Sequence, residues 1–493
     1  MLRNDDYRFF FICDKWFKIG IYSVFRYNII NRLVGDTSSV TPGMNLEENE
    51  MATYDYDVLY IGSGHGTFDG AIPLGAKGKK VAVVEQDLVG GTCPNRGCNA
   101  KIILDSPVAL QRHMENVHGV VTGETTINWP ANQAHKHAVI DGLPAFIQGL
   151  LDNNNIDIIF GRGILADEHT VKINGQAKTA NKIVISTGLR SNRLDIPGTN
   201  FAHDSEEFLN LEQIPQHVTV IGAGYIAMEF ATMANAAGAK VTVLLRGDKA
   251  LRAYHQPFVE EIINDLTQRG VTFMRGVTVE EITENGQQYT VNTGSAAIET
   301  DWVLDATGRI PNVENIGLEE VGVKYNAKGI VVDDYLRTSV PNIYASGDVI
   351  DKSQPKLTPT AIFESLYLMH TFAGETTEPI VYPVIPSVVF TSPRLAQVGV
   401  TVAEAKAHPE SYTLETNHIP DDWYRQVDQE QMGDNVLIFD KNHKLVGATE
   451  VSHKADDVIN ALLPAIEFKF GPSQIERMVH LFPTIASSAW GQL

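Results

Sequence analysis

Cysteine is scarce in this chain of 493 residues: there are three, Cys13, Cys93 and Cys98, and none follows Cys98. So few cannot build the framework of a disulfide-stapled secreted protein, and a reducing cytosol fits better, with any disulfide being catalytic. Long apolar runs are missing as well. No stretch of about 18 apolar residues occurs, so no membrane-spanning helix is expected. Positive charge is in short supply, with Lys+Arg 39 against Asp+Glu 60 and a formal net charge of -21. An acidic surface repels nucleic acid and anionic membranes, and neither is expected as a partner. The total does not exclude a local basic pocket. No residue set is read as a metal site. The remaining composition is ordinary for a globular chain, 43% hydrophobic and 20% charged, and the length suits about three or four domains.

Residues 1–50 are set apart from the rest. Phe9-Phe10-Phe11-Ile12-Cys13 is too short for a signal-peptide core, and Lys15, Lys18 and Arg26 interrupt the stretch after it. The first recognisable strand begins near Tyr56, just after Met51-Ala52-Thr53. The segment is therefore read as a non-native or disordered extension from an over-long reading frame, with the native start at Met51. The rival reading is an aromatic-rich docking helix.

Two cysteines stand five positions apart in Gly91-Thr92-Cys93-Pro94-Asn95-Arg96-Gly97-Cys98, just past a predicted strand that ends at Glu85. Such an arrangement suggests a redox-active dithiol beside a bound cofactor. The plainer reading is two unrelated buried cysteines.

Glycine turns supply the cofactor. Asp57-Val58-Leu59-Tyr60-Ile61 reads as a buried strand that runs into Gly62-Ser63-Gly64-His65-Gly66-Thr67, then a helix, then Val81-Ala82-Val83-Val84-Glu85. In such a βαβ unit the glycines let a pyrophosphate approach the backbone at the positive end of the next helix. Glu85, 23 positions after Gly62, could accept hydrogen bonds from ribose hydroxyls. Thr67 at the third glycine position weakens the match.

The pattern recurs. Val218-Thr219-Val220-Ile221 leads into Gly222-Ala223-Gly224-Tyr225-Ile226-Ala227, then a helix, then Val241-Thr242-Val243-Leu244-Leu245. Ala227 is an accepted third residue. Two units imply two dinucleotide sites, one for a flavin and one for a nicotinamide. In the second unit Leu245 occupies the place that Glu85 holds in the first, and Arg246 and Arg252 come after it. Guanidiniums make forked bonds to a ribose 2′-phosphate, so NADPH is expected rather than NADH. Otherwise these are two solvated arginines.

With these parts in place the chain resembles the FAD-dependent pyridine nucleotide–disulfide oxidoreductases over about residues 54–485. It is most similar to their glutathione reductase and dihydrolipoyl dehydrogenase branches. Ile185-Ser186-Thr187-Gly188 and Asp305-Ala306-Thr307-Gly308-Arg309-Ile310-Pro311-Asn312 resemble the family's two crossover segments. Ile343-Tyr344-Ala345-Ser346-Gly347-Asp348 resembles its second FAD motif, and Leu357-Thr358-Pro359 with Ala361 the segment beneath the flavin.

The resemblance implies FAD contacts at Gly62, Gly64, Gly66, Glu85, Gly91, Thr92, Thr187, Gly188, Gly347, Asp348 and Ala361. It implies NADPH contacts at Gly222, Gly224, Arg246, Arg252 and Gly308. Tyr225 would be the aromatic lid over the flavin, and Glu229 would pair with a lysine near the hydride-accepting nitrogen. Cys98 would be the thiol nearest the flavin and Cys93 the interchange thiol.

The chain also departs from the family. The lysine usually found four residues after the second cysteine stands at three, as Lys101. It reaches Glu229 if the helix start is shortened by one residue. The C-terminal signature His-x-His-Pro-Thr-x-x-Glu reads His480-Leu481-Phe482-Pro483-Thr484-Ile485-Ala486-Ser487. Phe482 thus replaces the catalytic histidine that the partner subunit supplies in this family, and Ser487 replaces its glutamate. General acid–base catalysis is worth about 10²–10⁴-fold, so exchange with glutathione disulfide should be slow unless another group serves. His480 is one candidate, with a structural role favoured. His453 and His65 are weaker ones, and His65 reads as held by the backbone of its turn. With no cysteine after Cys98, the C-terminal redox pairs of mercuric reductase and of the large thioredoxin reductases are absent.

The fold expected is α/β, with two Rossmann-like dinucleotide-binding domains (FAD and NADPH) and a C-terminal α+β dimerisation domain. The segments are 51–205 for FAD, 206–312 for NAD(P)H, 313–380 for FAD again and 381–493 for the interface, in a cytoplasmic homodimer. The function expected is an NADPH-dependent disulfide reductase that passes electrons through FAD and Cys93–Cys98 to a small-molecule disulfide or other small oxidant. The alternatives are a same-fold reductase of a metal ion, quinone or reactive oxidant, and a redox sensor with little turnover.

Overall fold

The computed structural model describes residues 54–117 and 119–493; the segment 1–50 lies outside them. The first sheet is built on β1 (Tyr56–Ile61), α1 (Phe68–Ala76), β2 (Val81–Glu85), α2 (Thr92–Arg96), α3 (Cys98–Asn116), β3 (Asp157–Phe160), β4 (Gly163–Leu165), β5 (Thr170–Ile173) and β6 (Gln176–Ile185). Its strand order is β3-β2-β1-β6-β5-β4. The short strand Ile343–Ala345 returns from far along the chain to pair in parallel with β6. Val58, Leu59 and Tyr60 of β1 are all buried, as expected for a central parallel strand covered on both faces.

A second sheet comes next, from β7 (His217–Ile221), α4 (Tyr225–Ala236), β8 (Lys240–Leu245), α5 (Gln256–Gln268), β9 (Thr272–Arg275) and β10 (Trp302–Asp305). It is parallel throughout, in the order β9-β8-β7-β10. Two antiparallel stretches, Leu189–Ser191 and Arg309–Pro311, pair where the chain enters and leaves this unit. Helix α6 (Thr358–Phe372) then lies along α1. A Cβ on Gly70 would sit 2.2 Å from the Ser365 carbonyl oxygen, so only glycine allows this approach.

The C-terminal sheet is antiparallel, from β11 (Ser387–Val389), β12 (Arg394–Gly399), β13 (Tyr412–His418), β14 (Asp434–Asp440) and β15 (Leu445–Ser452), in the order β11-β12-β15-β14-β13. Helix α7 (Ala455–Glu467) covers one face through Val458, Ile459 and Leu462, and α8 (Ile485–Trp490) closes the chain. A first sheet that is parallel through β3-β2-β1-β6 and antiparallel through β6-β5-β4, a second parallel sheet and a C-terminal antiparallel α+β unit are the architecture expected from the sequence. Among the described residues no helix is long and apolar enough to cross a membrane.

Candidate active site

The first glycine turn is held from three sides. Gly62 has φ +103°, and a Cβ there would lie 2.5 Å from the Ser186 carbonyl oxygen. The Gly66 carbonyl accepts hydrogen bonds from Ser346 Oγ at 2.7 Å and Ser186 Oγ at 3.2 Å. Glu85, at the end of β2, accepts from Ser63 N (3.0 Å) and Ser63 Oγ (2.6 Å) through one oxygen, and from Asp87 N (2.8 Å) through the other. The Gly91 backbone lies against Gly64.

A cavity of about 760 Å³ opens from this turn, lined by Gly62, Gly64, Glu85, Gly91, Thr92, Thr187 and Gly188 among others. Thr187 is fixed by reciprocal bonds with Asn312, Oγ1 to its carbonyl at 2.7 Å and Asn312 Nδ2 to the Thr187 carbonyl at 2.8 Å. Gly347, Asp348 and Ala361 are not in the cavity lining but close on the turn from the other side. Gly347 packs on Gly66 and Ala361, its N–H donates to the buried Glu364 at 2.6 Å, and the Asp348 carbonyl accepts from Lys356 Nζ at 2.8 Å.

The second turn is built alike. Gly222 has φ +130° with a would-be Cβ 2.3 Å from the Ala306 carbonyl oxygen, while Gly224 and Gly308 have nothing within 4 Å of theirs. That open side is where a ligand backbone can approach. Leu245 is buried, and Arg246 and Arg252 are exposed. Neither arginine forms an ion pair among the described residues. Tyr225 opens α4 and is 46% exposed.

The dithiol sits where two helices abut. Cys93 lies in α2 and Cys98 is the first residue of α3, with Gly97 between them. A Cβ on Gly97 would be 3.0 Å from the Thr92 carbonyl oxygen, so glycine allows the tight corner. Both thiols are free. The Cys93 thiol donates to Cys98 and pulls its pKa down to about 5; the Thr358 hydroxyl, 3.6 Å away, and the charges of Lys101 and His65 add to this against burial. The same bond, with burial, pushes Cys93 up. In the reduced pair Cys98 is therefore the thiolate and Cys93 the thiol.

Lys101 and Cys98 share the first turn of α3. Lys101 Nζ lies 3.2 and 3.1 Å from the two Glu229 carboxylate oxygens and 4.1 Å from the Phe390 ring centre. Glu229 is 1% exposed and also accepts the Phe390 N–H at 2.9 Å. Burial pushes its pKa up, and Lys101 opposes that. Because α3 starts at Cys98, a spacing of three still reaches Glu229.

The C-terminal segment places no acid or base at the family position. Phe482 is 72% exposed. Ser487 caps α8 by bonding the Thr484 N–H and carbonyl. The His480 ring stacks on Trp490 at 4.7 Å. His453 is partly buried, and desolvation drives its pKa down to about 4 and leaves it neutral. Sequence reasoning missed Thr358 as a thiol partner. It also missed the contact of His65 Nδ1 with Asp69 Oδ2 at 2.7 Å; the spacing of four at a helix start was the available signal.

Two dinucleotide-type sheets, a paired dithiol and a separate antiparallel unit define a class: a pyridine-nucleotide-linked oxidoreductase with a redox dithiol. Residues 56–365 match the pyridine nucleotide-disulphide oxidoreductase family and residues 385–491 its dimerisation domain. The chain belongs to this family and is an FAD-dependent oxidoreductase acting on a sulfur group. It is 34% identical over 434 residues to mercuric reductase of Staphylococcus aureus, covering 84% of this chain and 77% of that one. It is 30% identical over 453 residues to glutathione reductase of Nostoc sp., covering 88% and 98%. Among solved structures it is similar to the HOCl-induced flavoprotein disulfide reductase RclA from Escherichia coli, with a TM-score of 0.80, 26% identity, and coverage of 88% and 98%. The residues present fit FAD: a glycine cradle faces a cavity of about 760 Å³, with Glu85 at the strand end.

Proposed function

We propose that this protein is an NADPH-dependent disulfide reductase, working as a cytoplasmic homodimer through residues 381–493. FAD would be held by residues 51–205 and 313–380 and NADPH by residues 206–312. The observation that carries the reading is the setting of the dithiol: Cys93 and Cys98 flank the Gly97 corner between two helices, with the Thr358 hydroxyl 3.6 Å from Cys98 Sγ. Bound flavin supplies two-electron exchange between nicotinamide and disulfide. The chain's own residues do the rest. Arg246 and Arg252 would hold the 2′-phosphate; both are exposed, and neither has an ion-pair partner among the described residues. Tyr225, 46% exposed at the start of α4, would be the aromatic lid over the flavin. Glu229 holds the Lys101 side chain over the first turn of α3, which also carries Cys98. Cys93 attacks the acceptor, and Cys98 resolves the mixed disulfide.

A second reading, reduction of a metal ion, quinone or reactive oxidant, is favoured by Phe482, because such acceptors need no proton from that position. Steady-state assays of Cys93→Ser separate the two. Loss of turnover is expected with every acceptor reduced through the dithiol. An acceptor whose reduction survives takes electrons from the flavin directly. NADPH oxidation no faster than the slow oxidase background with any acceptor would instead favour the sensor.

A further inference from the structure

Phe482 and Ser487 leave exchange with a dialkyl disulfide without the acid–base group that the C-terminal segment supplies elsewhere in the family. An imidazole–carboxylate pair, His65 and Asp69, lies on the neighbouring glycine turn and the start of α1. The Gly62–Gly66 turn touches the approach to α2: a Cβ on Gly91 would lie 2.9 Å from Gly64 Cα. His65 directly follows Gly64, and Cys93 is two residues past Gly91, so both side chains leave from one backbone contact. His65 Nδ1 lies 2.7 Å from Asp69 Oδ2. A carboxylate only accepts, so Nδ1 carries the proton and Nε2 is left to exchange one. The Asp69 side chain is 4% exposed and that of His65 is 19% exposed, which leaves the imidazole within reach of a ligand. The ring also leans on Phe68, centre to centre 4.5 Å.

Helix α1, which carries Asp69, is fixed against α6, whose first residue is Thr358, through Gly70 N–H to Ser365 Oγ at 2.9 Å. Both groups lie within electrostatic range of the dithiol, His65 of Cys98 and Asp69 of Cys93.

We propose that His65, oriented by Asp69, is the acid–base residue of the oxidative half-reaction, serving acceptor disulfides whose leaving thiols need a proton. His65 Nε2 takes the proton of the Cys93 thiol as Cys93 Sγ attacks. A bond forms from Cys93 Sγ to one acceptor sulfur, the acceptor S–S bond breaks, and the imidazolium returns the proton to the departing thiolate. The Cys98 thiolate then attacks Cys93 Sγ, closing the Cys93–Cys98 bond, and the second thiolate leaves and takes a proton from water. Two electrons pass from the dithiol to the acceptor. The inference rests on the disulfide-reductase reading above.

The test uses the full-length flavoprotein, reduced anaerobically with NADPH and mixed rapidly with one of two probes. One is 2-hydroxyethyl disulfide, whose alkylthiolate leaves poorly without a proton. The other is 5,5′-dithiobis(2-nitrobenzoate), whose aryl thiolate leaves unaided. The ratio of the two rates cancels any loss of flavin or fold common to both. In His65→Ala the alkyl-to-aryl ratio should fall by about 10²-fold or more, and imidazole in the buffer should restore the alkyl rate. In Asp69→Asn the ratio should fall part of the way. An unchanged ratio in both variants would overturn the assignment and leave His65 a residue of the turn. Wild-type protein that reduces neither probe would bring down the disulfide-reductase reading itself, and this inference with it.

Discussion

A single sulfur sets the chemistry at the residue scale. The ordinary thiol pKa is about 8.5, and here the Cys93 thiol, the Thr358 hydroxyl and the charges of Lys101 and His65 hold Cys98 near 5. In the reduced enzyme the thiolate-to-flavin absorption band should therefore persist down to about pH 6 and fade as pH drops through about 5. Thr358→Ala should move that midpoint upward. A spectrophotometric titration checks both, and a midpoint near 8 would refute the assignment. Lys101 has a second duty, since Glu229 is fully buried against it. Removing one partner of a buried pair leaves an uncompensated charge, at a cost of about 3 kcal/mol. Lys101→Met should lose about that much in denaturant unfolding, while Lys101→Arg should lose less. Arg246 and Arg252 need a different readout: replacing both with Ala should raise KM for NADPH about 10-fold or more, with little effect on KM for NADH.

At the scale of elements, the site depends on close backbone approaches. Gly70 lets α1 lie against α6, and Gly91 lets the approach to the dithiol touch the first glycine turn. Gly70→Ala would force a methyl onto the Ser365 carbonyl, and overpacking of this kind costs about 1–3 kcal/mol. Lower flavin occupancy and an earlier thermal transition are expected, read by the ratio of flavin to protein absorbance and by calorimetry. The α/β class and both strand–glycine–helix units were legible because each is carried by a contiguous run of residues with its own periodicity. The Cys98–Thr358 contact was not, since it joins positions 260 apart in the chain. Nor was the support under Gly347, where Glu364, Lys352 and Tyr382 meet in a buried cluster. The spacing of Lys101 looked anomalous in sequence, yet from the first turn of α3 its side chain reaches Glu229.

For the whole molecule, the C-terminal unit leaves Val479, Leu481 and Phe482 strongly exposed. Exposed apolar side chains grouped along one segment mark an association surface, in a region that matches the family's dimerisation domain. Leu481→Glu should shift the protein toward monomer in sedimentation velocity at micromolar concentration; an unchanged sedimentation coefficient would place the interface elsewhere. The acidic total charge, -21, makes small neutral or cationic acceptors more accessible than polyanions, since the surface field opposes the latter.

That electrons leave through the dithiol is tested most directly by one rapid-mixing measurement. The purified protein is reduced anaerobically with NADPH until the thiolate-to-flavin band appears, then mixed with glutathione disulfide while the band is monitored. Decay within the turnover time, absent in Cys93→Ser, is the predicted result. A band that persists in the wild-type protein would contradict glutathione-type disulfide reduction and turn the assignment toward metal ions, quinones and reactive oxidants.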